Sequence, residues 1–234
     1  MNVDQAEINK FSDLAAYWWD LNGPCKPLHE INPLRLQFIQ AHSNLAHQSI
    51  LDLGCGGGIL TEALSHFSAK VTGLDQSSEV LMAARAHAAE VGLSNPPHYV
   101  ESTAEDYAKD NAAQFDVITC MEMLEHVPSP TSVLKACSEL LKPGGSLFLS
   151  TLNRTMKSFM FAIVGAEYVL NMLPKGTHDY DQFIRPSELS SWATSQGFRL
   201  KSMKGISYNV FTRSFSLSND VSVNYLMHFQ KDVG

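Results

Sequence analysis

The chain has 234 residues, 44% hydrophobic and 18% charged, with a formal net charge of −7. That balance fits one globular domain with a sizeable core. It argues against a general nucleic-acid binder, which would carry a basic face, and no uncharged apolar run reaches the length of a membrane span.

Ile8, Phe11, Leu14 and Trp18 recur at spacings of three, three and four, which predicts an amphipathic helix within residues 4–19. It either covers an edge of the core or forms a lid over a cleft, and one ring of the Trp18-Trp19 pair is expected to stay partly exposed. Pro24, Pro27 and Pro33 break residues 20–33 into a rigid, irregular connector. Pro33 then opens a helix through Leu34, Phe38, Ile39 and Leu45, with Arg35 at its start. By itself Arg35 reads as a solvated surface charge.

Ile50-Leu51-Asp52-Leu53 is a short apolar run ending in Gly54-Cys55-Gly56-Gly57-Gly58, followed by Leu60, Leu64 and Phe67 at helical spacing. This reads as strand, tight turn, helix, with glycines that let the backbone turn and approach a ligand closely. A second strand, Lys70–Asp75, ends in a carboxylate 21 positions after Gly54. An acid there accepts hydrogen bonds from ribose hydroxyls in nucleotide-binding βαβ units. Ile59 stands where the dinucleotide fingerprint wants its third glycine. An adenosyl ligand without phosphates is therefore favoured over a dinucleotide.

A helix capped by Ser77 or Ser78 and stopped at Gly92 comes next, then a strand at His98-Tyr99-Val100 and a short polar helix. The nearly all-apolar Phe115–Cys120 has the pattern of a strand buried on both faces. A helix over 131–141, the turn Lys142-Pro143-Gly144-Gly145 and the strand Ser146–Thr151 complete an alternating order, which implies a parallel sheet with right-handed crossovers. Residues 156–173 are unusually apolar and flanked by Lys157 and Lys175, so they either cover the sheet or lie as a helix in a membrane interface. His178 and Asp179 follow in a loop that either lines the mouth of a site or is simply solvated. A short helix over 186–196 precedes two extended segments, Phe198–Ile206 and Phe211–Phe229, read as an antiparallel pair. The cysteines Cys25, Cys55, Cys120 and Cys137 form no C-x-x-C or finger spacing, and the N-terminus lacks a signal-peptide layout. Reduced thiols and a cytoplasmic location are expected.

The glycine loop with Asp75 resembles motif I of the S-adenosylmethionine-dependent methyltransferases, and Lys142–Gly145 is similar to their turn before the fifth strand. More specifically, Trp18-Trp19-Asp20, residues 26–35, residues 120–128, Ser150–Arg154, Val164–Tyr168 and Pro174–Asp179 resemble the bacterial ubiquinone-biosynthesis O-methyltransferases. The resemblance implies an α/β class I methyltransferase (Rossmann-like) fold, with a seven-stranded mostly parallel sheet, helices on both faces and one antiparallel strand. It divides a single domain into a helical lid (1–48), a cofactor core (49–152), an apolar insertion (153–190) and C-terminal strands (191–234). It implies S-adenosylmethionine as methyl donor, bound through Arg35, Gly54, Asp75 and Met121, with Gly56 in the same loop. The acceptors it implies are a polyprenyl catechol and demethylubiquinol, at two steps of one pathway. Their bilayer-resident tails imply peripheral contact with the inner membrane face through 156–173, and proteins of the same pathway as partners. An acid often found after strand three is Thr103 here, which leaves the adenine contact to groups around Ala104 or to Glu105.

Methyl transfer to a phenol needs an ionised oxygen, hence a base, a metal or both. Glu122, Glu125 and His126 are the candidates. If a helical turn starts at the end of the fourth strand, they share one face and could ligate Mg²⁺. Alternatively His126 is a metal-free base, or the cluster only caps the turn. Three other readings compete: a non-catalytic adenosyl-binding subunit docked at membranes, a methyltransferase of another small molecule or of RNA, and a nicotinamide oxidoreductase.

Overall fold

Two-sided burial of the central strands sets the architecture. The computed structural model describes residues 2–68, 70–155, 158 and 182–233. Strands β1 (Ser49–Leu53), β2 (Lys70–Asp75), β3 (His98–Glu101), β4 (Phe115–Met121) and β5 (Leu141–Leu152) run parallel in the order β3-β2-β1-β4-β5. Leu51 and Leu53 of β1 join one apolar cluster and Ile50 the other; β4 divides Ile118 and Cys120 from Val117 and Met121 in the same way. This period of two puts helices on both faces. Helices α5 (Ala104–Ala108), α6 (Pro130–Leu140) and α7 (Pro186–Ser195) close one cluster, and α2 (Lys26–His42) and α3 (Ile59–Ser65) the other. Helix α4 (Ser78–Glu90) is capped by Ser77, whose hydroxyl accepts from the Val80 amide at 3.3 Å, and packs on Tyr99 of β3.

The α/β class stands, but the sheet has eight strands rather than seven. β8 (Asn224–Lys231) runs antiparallel to β5, β6 (Phe198–Asn209) antiparallel to β8, and β7 (Ser214–Ser218) antiparallel to β6. Two strands, β7 and β8, thus oppose the parallel set where one was expected. The polar stretch Asn219–Ser222 breaks the segment read as one run from Phe211. Gly205 permits the resulting close pass, since a Cβ there would strike the Asp220 carbonyl.

The N-terminus also differs. Helix α1 (Gln5–Leu14) is capped by Asp4, whose carboxylate accepts from the Ala6 amide at 2.9 Å, and a 3-10 turn follows at Ala15–Tyr17. Helix α2 starts at Lys26, not at Pro33. Pro27 occupies the first turn, where a missing N–H costs nothing, and Pro33 sits inside the helix at the loss of one backbone bond. Trp18 is buried and Trp19 partly exposed. All four cysteines are buried free thiols. No described helix is long and apolar enough to cross a membrane. Apart from Ser158, the apolar stretch 156–173 lies outside the described residues, as do His178 and Asp179.

Candidate functional site

Strand order reverses at β1, with β2 on one side and β4 on the other. The loops leaving β1 and β4 diverge there and open a crevice, the usual ligand position in such sheets. A cavity of about 690 Å³ fills it. Arg35, Gly54, Gly56, Asp75, Met121, Glu122 and His126 all line this cavity; Glu125 does not.

The glycine loop is held by its neighbours. Gly54, Gly56 and Gly58 have φ of 65°, 52° and 89°, values that a side chain resists. A Cβ at Gly56 would run into the Trp18 indole, and one at Gly54 into Met123. Asp75 fixes the loop from below, its Oδ2 accepting from the Gly56 amide at 2.9 Å and its Oδ1 from Ser77 at 3.0 Å. Each oxygen keeps a second lone pair for a ligand. Burial raises the Asp75 pKa against those amide bonds.

Arg35 is buried, and its Nε and Nη2 have no hydrogen-bond partner among the described residues. Its Nη2 lies 3.6 Å from Glu122 Oε1, an ion pair too long for a hydrogen bond. Orphaned buried guanidinium donors are costly. An anionic group entering the cavity beside the glycine loop would satisfy them.

The acid and histidine cluster is arranged differently from the expectation. Glu122 has φ of 54° and precedes a 3-10 turn at Leu124–His126, so the assumed helical face never forms. The Glu122 carboxylate accepts from Ser150 Oγ at 2.7 Å. Glu125 turns into the core, where neither carboxyl oxygen has a partner among the described residues. Burial, then the nearby Glu122 charge, push its pKa up to about 8. His126 turns to α1, its Nδ1 lying 2.8 Å from Glu7 Oε2 and its ring edge-on to Phe11. The three side chains diverge. Among the described residues no group of three His, Cys, Asp or Glu is placed to hold a metal, and as arranged this donor set does not fit Mg²⁺.

Several site residues were not foreseen. Glu7 lines the cavity and its carboxylate faces His126, which is 119 positions away, a separation without local signal. Burial would raise the Glu7 pKa, but hydrogen bonds from Lys10 and His126 hold it below the usual range. Asp52 had a signal, being a lone carboxylate between two leucines of a buried strand. Its oxygens accept from Thr61 at 2.7 Å and Thr119 at 2.6 Å, and burial raises its pKa to about 6. After β3, where the resemblance implies the adenine contact, Ser102 and Ala104 line the cavity. Thr103 instead caps α5 through the Asp106 amide, and Glu105 accepts from Asn2.

A family model described as a methyltransferase domain matches residues 27–202. Proteins named ubiquinone biosynthesis O-methyltransferase are similar over nearly their whole length. That of Saccharophagus degradans is 52% identical over 99% of this chain and 98% of its own, and that of Nitrosococcus oceani 54% identical over 99% and 97%. Among solved structures, magnesium protoporphyrin IX methyltransferase from Synechocystis, with bound SAH, superposes with a TM-score of 0.72 at 16% identity. It covers 98% of this chain and 100% of that one, a likeness of fold.

Proposed function

Because the chain belongs to the ubiquinone biosynthesis O-methyltransferases, S-adenosylmethionine-dependent enzymes, we propose that it methylates ring hydroxyls of polyprenylated phenols in the cavity between Arg35 and His126. Arg35 carries the reading: a buried cation with unpaired donors beside a glycine loop suits the carboxylate of a methionyl group. Asp75 would take the ribose hydroxyls, Gly54 and Gly56 the close backbone approach, and Met121 the cofactor's flank. S-adenosylmethionine supplies an electrophilic methyl sulfonium. The protein's task is to hold the acceptor oxygen in line and make it anionic.

His126 is the base in this reading. Nδ1–H donation to Glu7 fixes the tautomer that leaves the basic lone pair on Nε2. Glu7 is then a positioning residue, and Glu122, held by Ser150, orients the acceptor's neighbouring hydroxyl. Glu125 stays behind the wall as a neutral acid. One such cavity serves both a polyprenyl catechol and demethylubiquinol, since each offers adjacent ring oxygens. The chain functions as one domain with residues 1–48 as lid. Residues 156–173 would meet the inner membrane face where the acceptor's tail resides, and pathway proteins would dock there.

His126→Asn is expected to lower kcat about 10²–10⁴-fold while calorimetry gives an unchanged S-adenosylmethionine affinity. Glu7→Gln should lower kcat less and move the acid limb of its pH profile. Wild-type turnover in His126→Asn would remove the base from His126.

A further inference from the structure

The cavity has a limb that the methyl donor and a phenol ring do not account for. Its lining continues from Glu122 to Ile206 and Tyr208 of β6 and Phe215 of β7. The glycine loop follows β1, and β6 lies four places further along the sheet. The same lining includes Pro24, just before α2, and Leu28 and Ile31 of α2, and the next turn of α2 packs beside the hairpin, with Leu36, Ile206 and Leu217 on one apolar cluster. Tyr208 and Phe215 rest on each other with centroids 4.8 Å apart. Asp220, the acid of this limb, directs a carboxylate oxygen back to its own loop, accepting from the Ser222 amide at 3.0 Å.

The apolar path does not stop at the cavity rim. Tyr208 is 41% exposed, and just beyond it Val210 and Phe211 are 63% and 94% exposed. Asn209 fixes this hairpin tip, its side-chain oxygen accepting from the Phe211 amide at 2.9 Å and the Thr212 amide at 3.2 Å. A compact polar ligand gains little from this limb, because its polar members Ser207 and Asn224 already bond Ser218 and the Ile206 backbone. A long hydrocarbon substituent on the acceptor gains more, because each buried methylene is favourable.

Resting on the methyltransferase reading, we propose that the polyprenyl tail of the acceptor leaves the active site between α2 and the β6–β7 hairpin, with Tyr208 and Phe215 as its gripping residues. The hairpin thereby sets the preference for prenylated over tail-less phenols.

The test compares kcat/KM on a long-chain polyprenyl catechol with kcat/KM on catechol lacking the chain. Tyr208→Asp should lower that ratio about tenfold or more, and Tyr208→Leu should restore it. Phe215→Asp, on the neighbouring strand, is the second probe and should act in the same direction. A ratio equal to wild type in both aspartate variants overturns the tail groove. Wild-type enzyme that methylates both acceptors without preference also overturns it, yet keeps the methyltransferase reading. Wild-type enzyme that methylates neither, with cofactor bound, overturns both.

Discussion

Two buried ionisable groups carry opposite instructions. Arg35 has only a long ion pair to Glu122, and its Nε and Nη2 have no hydrogen-bond partner among the described residues until a ligand brings one. Replacing it with methionine removes charge-assisted hydrogen bonds worth about 1.5–3 kcal/mol. Calorimetry on Arg35→Met should therefore show S-adenosylmethionine affinity reduced about ten- to hundredfold, with little loss of thermal stability. Glu125 is instead most at ease when neutral. Its folded pKa of about 8 exceeds the ordinary 4.5, so its stabilising contribution is full below pH 4.5. That contribution is lost as pH rises through 8, because the folded state binds the extra proton. Glu125→Gln should flatten the fall in Tm between pH 5 and 8.5 by several degrees, at about 2–4 °C per kcal/mol for a chain of this size. An unchanged slope would show that Glu125 is ionised in the fold. Sequence named both positions; the local pattern alone reads Arg35 as a surface charge while the resemblance puts it at the cofactor, because the burial of a helical arginine is decided by tertiary packing that the local pattern does not carry.

At the scale of elements, the N-terminal segment and the glycine loop form one assembly. Trp19 Nε1 donates to the Gly57 carbonyl at 2.9 Å and stacks on His87 at 3.4 Å, while His87 meets Glu62 at 2.9 Å. His29 Nε2 lies 2.8 Å from the Trp18 carbonyl, tying α2 to the same turn. Gly56 and Gly92 both have positive φ, but a Cβ at Gly92 would meet nothing within 4 Å. Gly92→Ala should pay only the backbone strain of about 1–2 kcal/mol, lowering Tm slightly with cofactor affinity intact. Gly56→Ala must also displace Trp18, and its cofactor affinity should fall more than tenfold; equal affinities in the two variants would contradict the assembly. The parallel core was legible because apolar runs, turn glycines and Ser77 are local signals. The antiparallel return after Phe198 was legible too, but the start of α2 and the split of the second extended segment into β7 and β8 were not. Prolines usually mark breaks, and the hairpin follows from Gly205 passing Asp220, a contact across 15 positions.

For the whole molecule, the α/β fold and the tight glycine turn were legible in sequence, since strand order and glycine spacing encode them. The arrangement of the Glu122–His126 corner was not. Sequence brought 122, 125 and 126 together as one cluster, yet the directions of these side chains depend on a positive φ at Glu122 and on Glu7 from the far end of the chain. If this crevice moves a methyl group from S-adenosylmethionine to a phenolic oxygen, labelled methyl will pass from S-adenosylmethionine to a ring oxygen of a polyprenyl catechol, and none will reach the same compound with both hydroxyls already methylated. A protein that binds S-adenosylmethionine and leaves the catechol unlabelled would contradict it.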